Sequence, residues 1–183
     1  MSRRFEGIDY EVVRRRVRYP RLELKTCKLV VVLPLEYEDE QGLIKRHKRW
    51  LSSRLEEIAE SRKRAEGLPL GTCSSDALRG EVRSALSEYE EELGVKVNAV
   101  FFRRMNSKWA SLSKRGNLTV NTLLACLPDM YVRYAVFHEL AHFFRRKHDG
   151  KFWRLVEKEF KDHAGIEGDL RAYWFRLARE GAG

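Results

Sequence analysis

The apolar positions of this chain change period several times, and each change marks an element. Between residues 9 and 34 the pattern is of strand type: YEVVRRRVRYP alternates in part, and LELKTCKLVVVLP ends in a β-branched run closed by Pro34. Two or three strands are expected there. From about Glu38 to Ala65 there is no proline, and Leu43, Ile44, His47, Trp50, Leu51, Leu55 and Ile58 recur at helical spacing opposite a charged face. This predicts one long amphipathic helix, with His47 packed at the edge of its core. Gly67, Pro69 and Gly71 then break the periodicity, so EGLPLGTCSSD reads as a connector. Ser75 or Asp76 caps a second helix ending near Gly94, with Leu78, Val82, Leu86, Tyr89 and Leu93 on its inner side.

After Gly94 the strand period returns. VKVNAVFF is followed by RRMNSKWASLSKRGNLTVN, in which Lys114 to Asn117 form the turn of a hairpin. Leu123, Leu124 and Leu127 make a short apolar stretch, and Pro128 with Asp129 suits the opening turn of the next helix. That helix is apolar nearly all round, from Tyr131 through Phe137 to Phe143 and Phe144, which predicts a central buried position. Two more helices are expected at about 149–161 and 167–179, the last packed by Leu170, Tyr173, Trp174 and Leu177. The fold class is therefore α+β: a small β-sheet, drawn from the N-terminal strands and the central hairpin, packs on a buried helix with further helices around it. Residues 1–66 are expected to form an N-terminal unit of strands and long helix, residues 75–183 a second region built around the buried helix, and the two to make one compact domain.

Composition narrows the class without changing this architecture. With 43% hydrophobic and 34% charged residues, the chain has the balance of a soluble globular protein. No stretch approaches the roughly 18 apolar residues of a membrane helix, and the start MSRRFEGIDY lacks the apolar run of a signal peptide. A cytoplasmic protein without membrane association is expected. Cys27, Cys73 and Cys126 are scattered and odd in number, so buried free thiols are expected rather than a disulfide framework or a cysteine zinc site. The net charge of +9 favours anionic partners such as nucleotides or nucleic acid. Yet the basic clusters at Arg14–Arg16, Lys45–Arg49, Arg62–Arg64 and Arg145–Lys147 are separated by acidic residues and read mostly as solvated faces.

Candidate chemistry concentrates in HELAHFFRRKH, from His138 to His148. On a helix turning about 100° per residue, His138 and His142 lie roughly 40° apart and about 6 Å along the axis, so both imidazoles reach one ion. Glu139 sits about 60° from His142, beside the ligands without being one, which suits a proton acceptor for an activated water. This is the HExxH pattern of zinc-dependent hydrolases. Catalytic zinc takes three protein ligands and keeps one position open, and His148 is the candidate third. On a straight helix it would lie about 120° around from His142 and about 9 Å further on, so the helix must end first. Asp149 as the cap of a following helix and Gly150 at the junction supply that ending. Glu157, Glu159, His163 and Glu167 are the rival third ligands. One zinc ion per chain is expected.

The stretch from Phe101 to Asp162 resembles the YgjP-like metal-dependent hydrolases, a zincin-type branch of metallopeptidase-like proteins related more distantly to the SprT-like proteases. The resemblance rests on Trp109 and Ser111 in a loop, Gly116, the strand ending in Asn121, Pro128, HELAH, His148 and the pair Phe152 and Trp153. It implies a zincin-like fold in which His138, His142 and His148 hold zinc and Glu139 is the catalytic base. Lys108, Ala110 and Leu112 depart from the family's usual Arg-Trp-Gly-Ser-Cys loop, and Asp149 stands where Ser commonly follows the third His. Metal chemistry survives these changes; the loop's substrate contacts are what they touch. Trp109, Ser111 and Asn121 are candidate substrate-binding residues, each with a structural alternative in packing or local backbone bonding.

The reading that follows is a zinc-dependent metallopeptidase acting on peptide or protein. Its Asn117–Asn121 strand pairs with the substrate by β-addition, and Lys108 or Arg104 lies near the oxyanion. Two alternatives stand beside it. One is zinc-dependent nucleotide hydrolysis, disfavoured by the lack of a phosphate-binding glycine loop. The other is a nucleic-acid-associated module with a structural metal, disfavoured by the open coordination position.

Overall fold

A computed structural model describes residues 2–5, 8–25 and 28–180, and divides the strands between two separate sheets. Strands β1 (Ser2–Phe5), β2 (Ile8–Arg14), β3 (Arg21–Lys25) and β4 (Lys28–Leu33) form the first, in the order β1-β2-β4-β3. β2 runs parallel to β4, with Tyr10 opposite Leu29 and Arg14 opposite Leu33, while the other two pairings are antiparallel. Three of them, β2 to β4, fall where two or three strands are expected, and β1 is an addition before that span. The short edge strand β1 carries exposed Arg3 and Arg4, and such charged edges give no alternating apolar signal.

The predicted long helix is two helices, α1 (Glu40–Arg46) and α2 (Lys48–Gly67), jointed at His47. His47 takes φ −104° and ψ 13° and places Nδ1 3.0 Å from the Leu43 carbonyl. It is exposed at the joint instead of packed at a core edge. The bend keeps Leu43, Ile44 and Leu51 in a small core with Tyr10, Leu29, Val31 and Leu33, and leaves Trp50 41% exposed.

Helix α3 (Ser75–Leu93) is capped one residue earlier than expected, by Ser74, whose hydroxyl accepts from the Ala77 N–H at 3.2 Å. It ends on Gly94 at φ 63°, a left-handed position that glycine takes without a Cβ clash. The second sheet follows: β5 (Ala99–Arg103), β6 (Ala110–Leu112) and β7 (Asn117–Asn121), in the order β5-β7-β6. β6 and β7 are the expected hairpin. β5 pairs parallel to β7, so β7 is central and both its edges are occupied. A 3-10 turn at Thr122–Cys126 leads to α4 (Asp129–Ala141), then α5 (Gly150–Glu159) and α6 (His163–Glu180).

Helix α4 buries eight of its thirteen residues, as its all-round apolarity predicts. It lies within the larger core, where Phe137 meets Tyr89 edge-on at 5.0 Å and Leu118, Val120, Phe152 and Val156 are fully buried. Phe143 and Phe144 lie beyond the helix end and are 39% and 50% exposed, contrary to their expected place in the core. The N-terminal strands join this body through α2, where Arg176 on α6 donates to the carbonyls of Ala65 and Leu68 at 3.0 and 2.7 Å. The molecule is thus α+β, with two sheets where a single one was expected.

Cys73 and Cys126 form a disulfide between residues 53 apart, which corrects the expectation of free thiols for this pair; Cys27 lies outside the described residues. The connector before α3 is laid against the 3-10 turn, where the Gly71 N–H also donates to the Cys126 carbonyl at 2.8 Å. Closing a loop of 53 residues removes chain entropy from the unfolded state worth about 4 kcal/mol. Cys126→Ser, or reductant added to the native protein, is expected to lower the denaturant midpoint accordingly. An unchanged midpoint with and without reductant would show that the bridge does not form in solution.

Candidate active site

The site is built where α4 stops. Its last residues turn into 3-10 bonds, Phe143 N–H to the Leu140 carbonyl at 3.0 Å and Phe144 N–H to the Ala141 carbonyl at 3.1 Å. The chain then reverses, and the Asp149 carboxylate caps α5 by accepting from the N–H groups of Lys151 and Phe152, both at 3.0 Å. This joint, expected from Asp149 and Gly150, brings His148 back beside the helix. One nitrogen from each of His138, His142 and His148 lies within 4.8 Å of the others, the one group of three such donors among the described residues.

Each imidazole is oriented by something specific. His142 Nδ1 lies 2.8 Å from the Arg145 carbonyl, so Nδ1 carries the proton and Nε2 keeps its lone pair. His138 and His148 bring their Nε2 atoms to 2.9 Å. Phe152 supports all three rings, with centroids 4.9, 4.9 and 4.6 Å from those of His138, His142 and His148. Trp153 stacks on His148 at 5.5 Å. Burial, then the neighbouring His148 and His142, push the pKa of His138 down to about 3. Burial and His142 lower that of His148 too. The His138 imidazole therefore stays neutral near pH 7.

This donor set fits a zinc ion: three imidazole nitrogens converge, and the neighbouring carboxylate is held elsewhere. Glu139 Oε2 accepts from the Leu112 N–H at 2.6 Å, a bond that crosses from α4 to β6. Burial raises the Glu139 carboxyl pKa, against the opposing effects of the Leu112 hydrogen bond and of nearby His142 and Lys108.

These groups open into a cleft of about 400 Å³, walled on one side by Lys108, Trp109, Ala110, Ser111 and Leu112. The other side is formed by Tyr134, Ala135, Arg146, Glu167 and Leu170. Trp109 and Ser111 thus face the cleft, and Trp109 also packs edge-on against Trp174 at 5.1 Å. Lys108 reaches it, whereas Arg104 is not among its lining residues. Among the rival ligands, His163 stacks on Trp153 at 4.8 Å, Glu159 accepts from the Tyr89 hydroxyl at 3.2 Å and Glu157 is exposed. Glu167 does reach the cleft: it accepts from the Tyr134 hydroxyl at 3.0 Å, with Oε1 3.7 Å from His138 Nδ1. That Nδ1 is buried and has no other partner. Tyr134 was legible one turn before His138 on the same helix face; the Leu112 N–H and Arg146 carried no local signal.

Asn121 lies outside the cleft, fully buried. Its amide donates to the carbonyls of Met105 and Lys108 at 2.9 and 2.7 Å, and its oxygen accepts from the N–H groups of Met105 and Leu123 at 3.3 and 3.1 Å. It fastens the loop that carries Lys108 to the start of the 3-10 turn. Asn121→Leu would leave these buried backbone groups without partners, and a loss of roughly 3 kcal/mol or more is expected in chemical denaturation. A change below about 1 kcal/mol would show that water replaces the bonds.

The profile of the family described as YgjP-like, metallopeptidase domain, matches residues 70–173, more than half of the chain. Among solved structures, the metallopeptidase zymogen abylysin of Pyrococcus abyssi is similar, with 31% identity over 43% of this chain and 79% of that one at a TM-score of 0.40. The metallopeptidase zymogen jannalysin of Methanocaldococcus jannaschii shows 21% identity over 48% of this chain and 84% of that one, with a TM-score of 0.41. No curated protein matches the chain.

Proposed function

Because the chain belongs to the YgjP-like metallopeptidase family and is a metal-dependent hydrolase, we propose that it is a zinc peptidase in which His138, His142 and His148 hold the ion and Glu139 is the general base. The observation that carries this reading is the convergence of three imidazoles beside a buried carboxylate in a single cleft. Bound there, zinc supplies Lewis acidity, which brings the pKa of a water toward 7 and polarises the scissile carbonyl.

The chain's own groups do the rest. One oxygen of Glu139 is fixed by the Leu112 N–H, which leaves the other to take the proton of the attacking water. Burial moves the carboxyl toward the working pH, so it can later return that proton to the leaving amine. Substrate backbone is held at β6 and not at β7, whose two edges are already paired. The Trp109 carbonyl and the Ser113 N–H both bond to β7 residues, so the intervening Ala110 and Leu112 turn their peptide groups the other way; the Leu112 N–H meets Glu139, which leaves the Ala110 N–H and the carbonyls of Ala110 and Leu112 along the cleft. An extended peptide can add there as a further strand. Lys108 is the lining cation placed to meet the developing oxyanion.

The test is direct. Zinc-loaded protein is incubated with an unfolded polypeptide and, separately, with nucleoside triphosphates. New peptide termini with intact nucleotides are expected; nucleotide hydrolysis with intact polypeptide would sink the peptidase reading in favour of phosphoanhydride chemistry.

A further inference from the structure

The distribution of charge around the cleft carries the peptidase reading one step further, to the substrate. From Leu93 to Pro128 the sequence has no Asp or Glu and six basic residues; from Leu140 to His148 it again has no acid and three basic residues. These nine charges equal the net charge of +9, so the remainder of the chain is balanced. The whole excess therefore sits in two acid-free segments.

In the fold those two segments flank the same cleft. The first contributes β6 and the cleft-lining Lys108 before it, with exposed Lys114 and Arg115 in the turn after it. The second, between His142 and His148, puts Arg146 into the cleft lining. Some arginines elsewhere are matched, Arg64 with Asp169 and Arg133 with Glu81 and Glu88. Lys108, Lys114, Arg115 and Arg146 make no ion pair among the described residues. Glu139 and Glu167 line the cleft too, each hydrogen-bonded to a neutral donor, and offset Lys108 and Arg146 there, so the surplus of positive charge lies at the rim, with Lys114 and Arg115.

We infer that the cleft selects polypeptide segments rich in Asp and Glu. This rests on the peptidase reading. Unpaired cations rimming a concave site focus a positive field and raise the local concentration of acidic chain. Nucleic acid would feel the same field, but the outward N–H and carbonyl of Ala110 and the outward carbonyl of Leu112 match an extended polypeptide backbone, and a phosphodiester has no amide ladder to pair with them. An acidic strand lying along β6 passes Lys108 near one end and Lys114 and Arg115 near the other, with Arg146 across the cleft.

The experiment uses peptides of one length and frame whose variable positions are all Glu, all Gln or all Lys. Cleavage is followed with the zinc-loaded protein, and binding by fluorescence anisotropy with the zinc-loaded Glu139→Ala variant, at ionic strengths of about 0.05 and 0.5 M. The expected order is Glu, Gln, Lys, with kcat/KM at least about tenfold higher for the Glu than for the Gln peptide at low salt. High salt should narrow that ratio, and Lys114→Glu combined with Arg146→Glu should reverse it. Equal cleavage of all three peptides overturns the charge selection and leaves the peptidase reading standing. Salt-sensitive binding of the Glu peptide with no cleavage of any peptide supports the charge selection and sinks the peptidase reading. If a single-stranded oligonucleotide displaces the labelled Glu peptide at lower concentration than the unlabelled peptide does, the inference falls in favour of nucleic acid.

Discussion

Glu139→Ala is expected to remove nearly all hydrolytic activity, by about 10²–10⁴-fold, while the protein stays folded and keeps its metal. The reason lies in the division of labour within the cluster. The three imidazoles converge without help from Glu139, whose Oε2 is engaged with the Leu112 N–H on β6. Removing the carboxylate costs that hydrogen bond but also relieves a buried charge, as the raised pKa of the group records. Stability should therefore change little. Turnover, metal content per chain and thermal unfolding, measured on one preparation, check the three parts together. Full activity in this variant would exclude Glu139 as the base, and lost metal would make it a ligand instead.

The second large effect is expected from His148→Ala, which should bind zinc far more weakly than the about 10–100-fold loss typical of removing an outer partner of a ligand. His163→Ala should bind normally, since that ring stacks on Trp153 away from the cluster. The same contrast should appear in stability. An ion present at about 100 times its dissociation constant stabilises the folded state by about 2.7 kcal/mol. For a chain of this size that is a shift of about 5–10 °C in Tm. A chelator should produce this shift in the wild type and in His163→Ala, and almost none in His148→Ala. Glu167→Gln is the decisive comparison, because Glu167 is the one rival that the fold brings into the cleft. If metal is lost with Glu167→Gln and retained with His148→Ala, the carboxylate on α6 is the third ligand.

Much of the candidate site was legible because it is nearly continuous in sequence. HELAH places its groups by helical periodicity alone, and Asp149 signalled the helix boundary that returns His148 to the cluster. The loop residues were harder to read. Asn121 stood out as a polar residue at a strand end, but only its burial shows that it binds backbone on four sides. The stronger strand signal, Asn117–Asn121, suggests the edge for β-addition. Its parallel pairing with β5 closes that edge, so the proposed strand addition falls to the short β6.

The sequence by itself determined the features that depend on neighbours within a few residues. These are the caps at Asp149 and Gly94, the inward face of α3, the all-round apolar α4 and the spacing of the histidines. Tertiary structure decided whatever depends on distant segments meeting. The separate four-stranded sheet, the exposed joint at His47, the Cys73–Cys126 bridge and the Leu112 bond to Glu139 all belong here. So does the gathering of two acid-free segments around one cleft, which the linear spacing of basic clusters concealed. The physical reason is common to them: local periodicity records which face of an element is buried, whereas pairing order and cross-element bonds arise only when elements close in space.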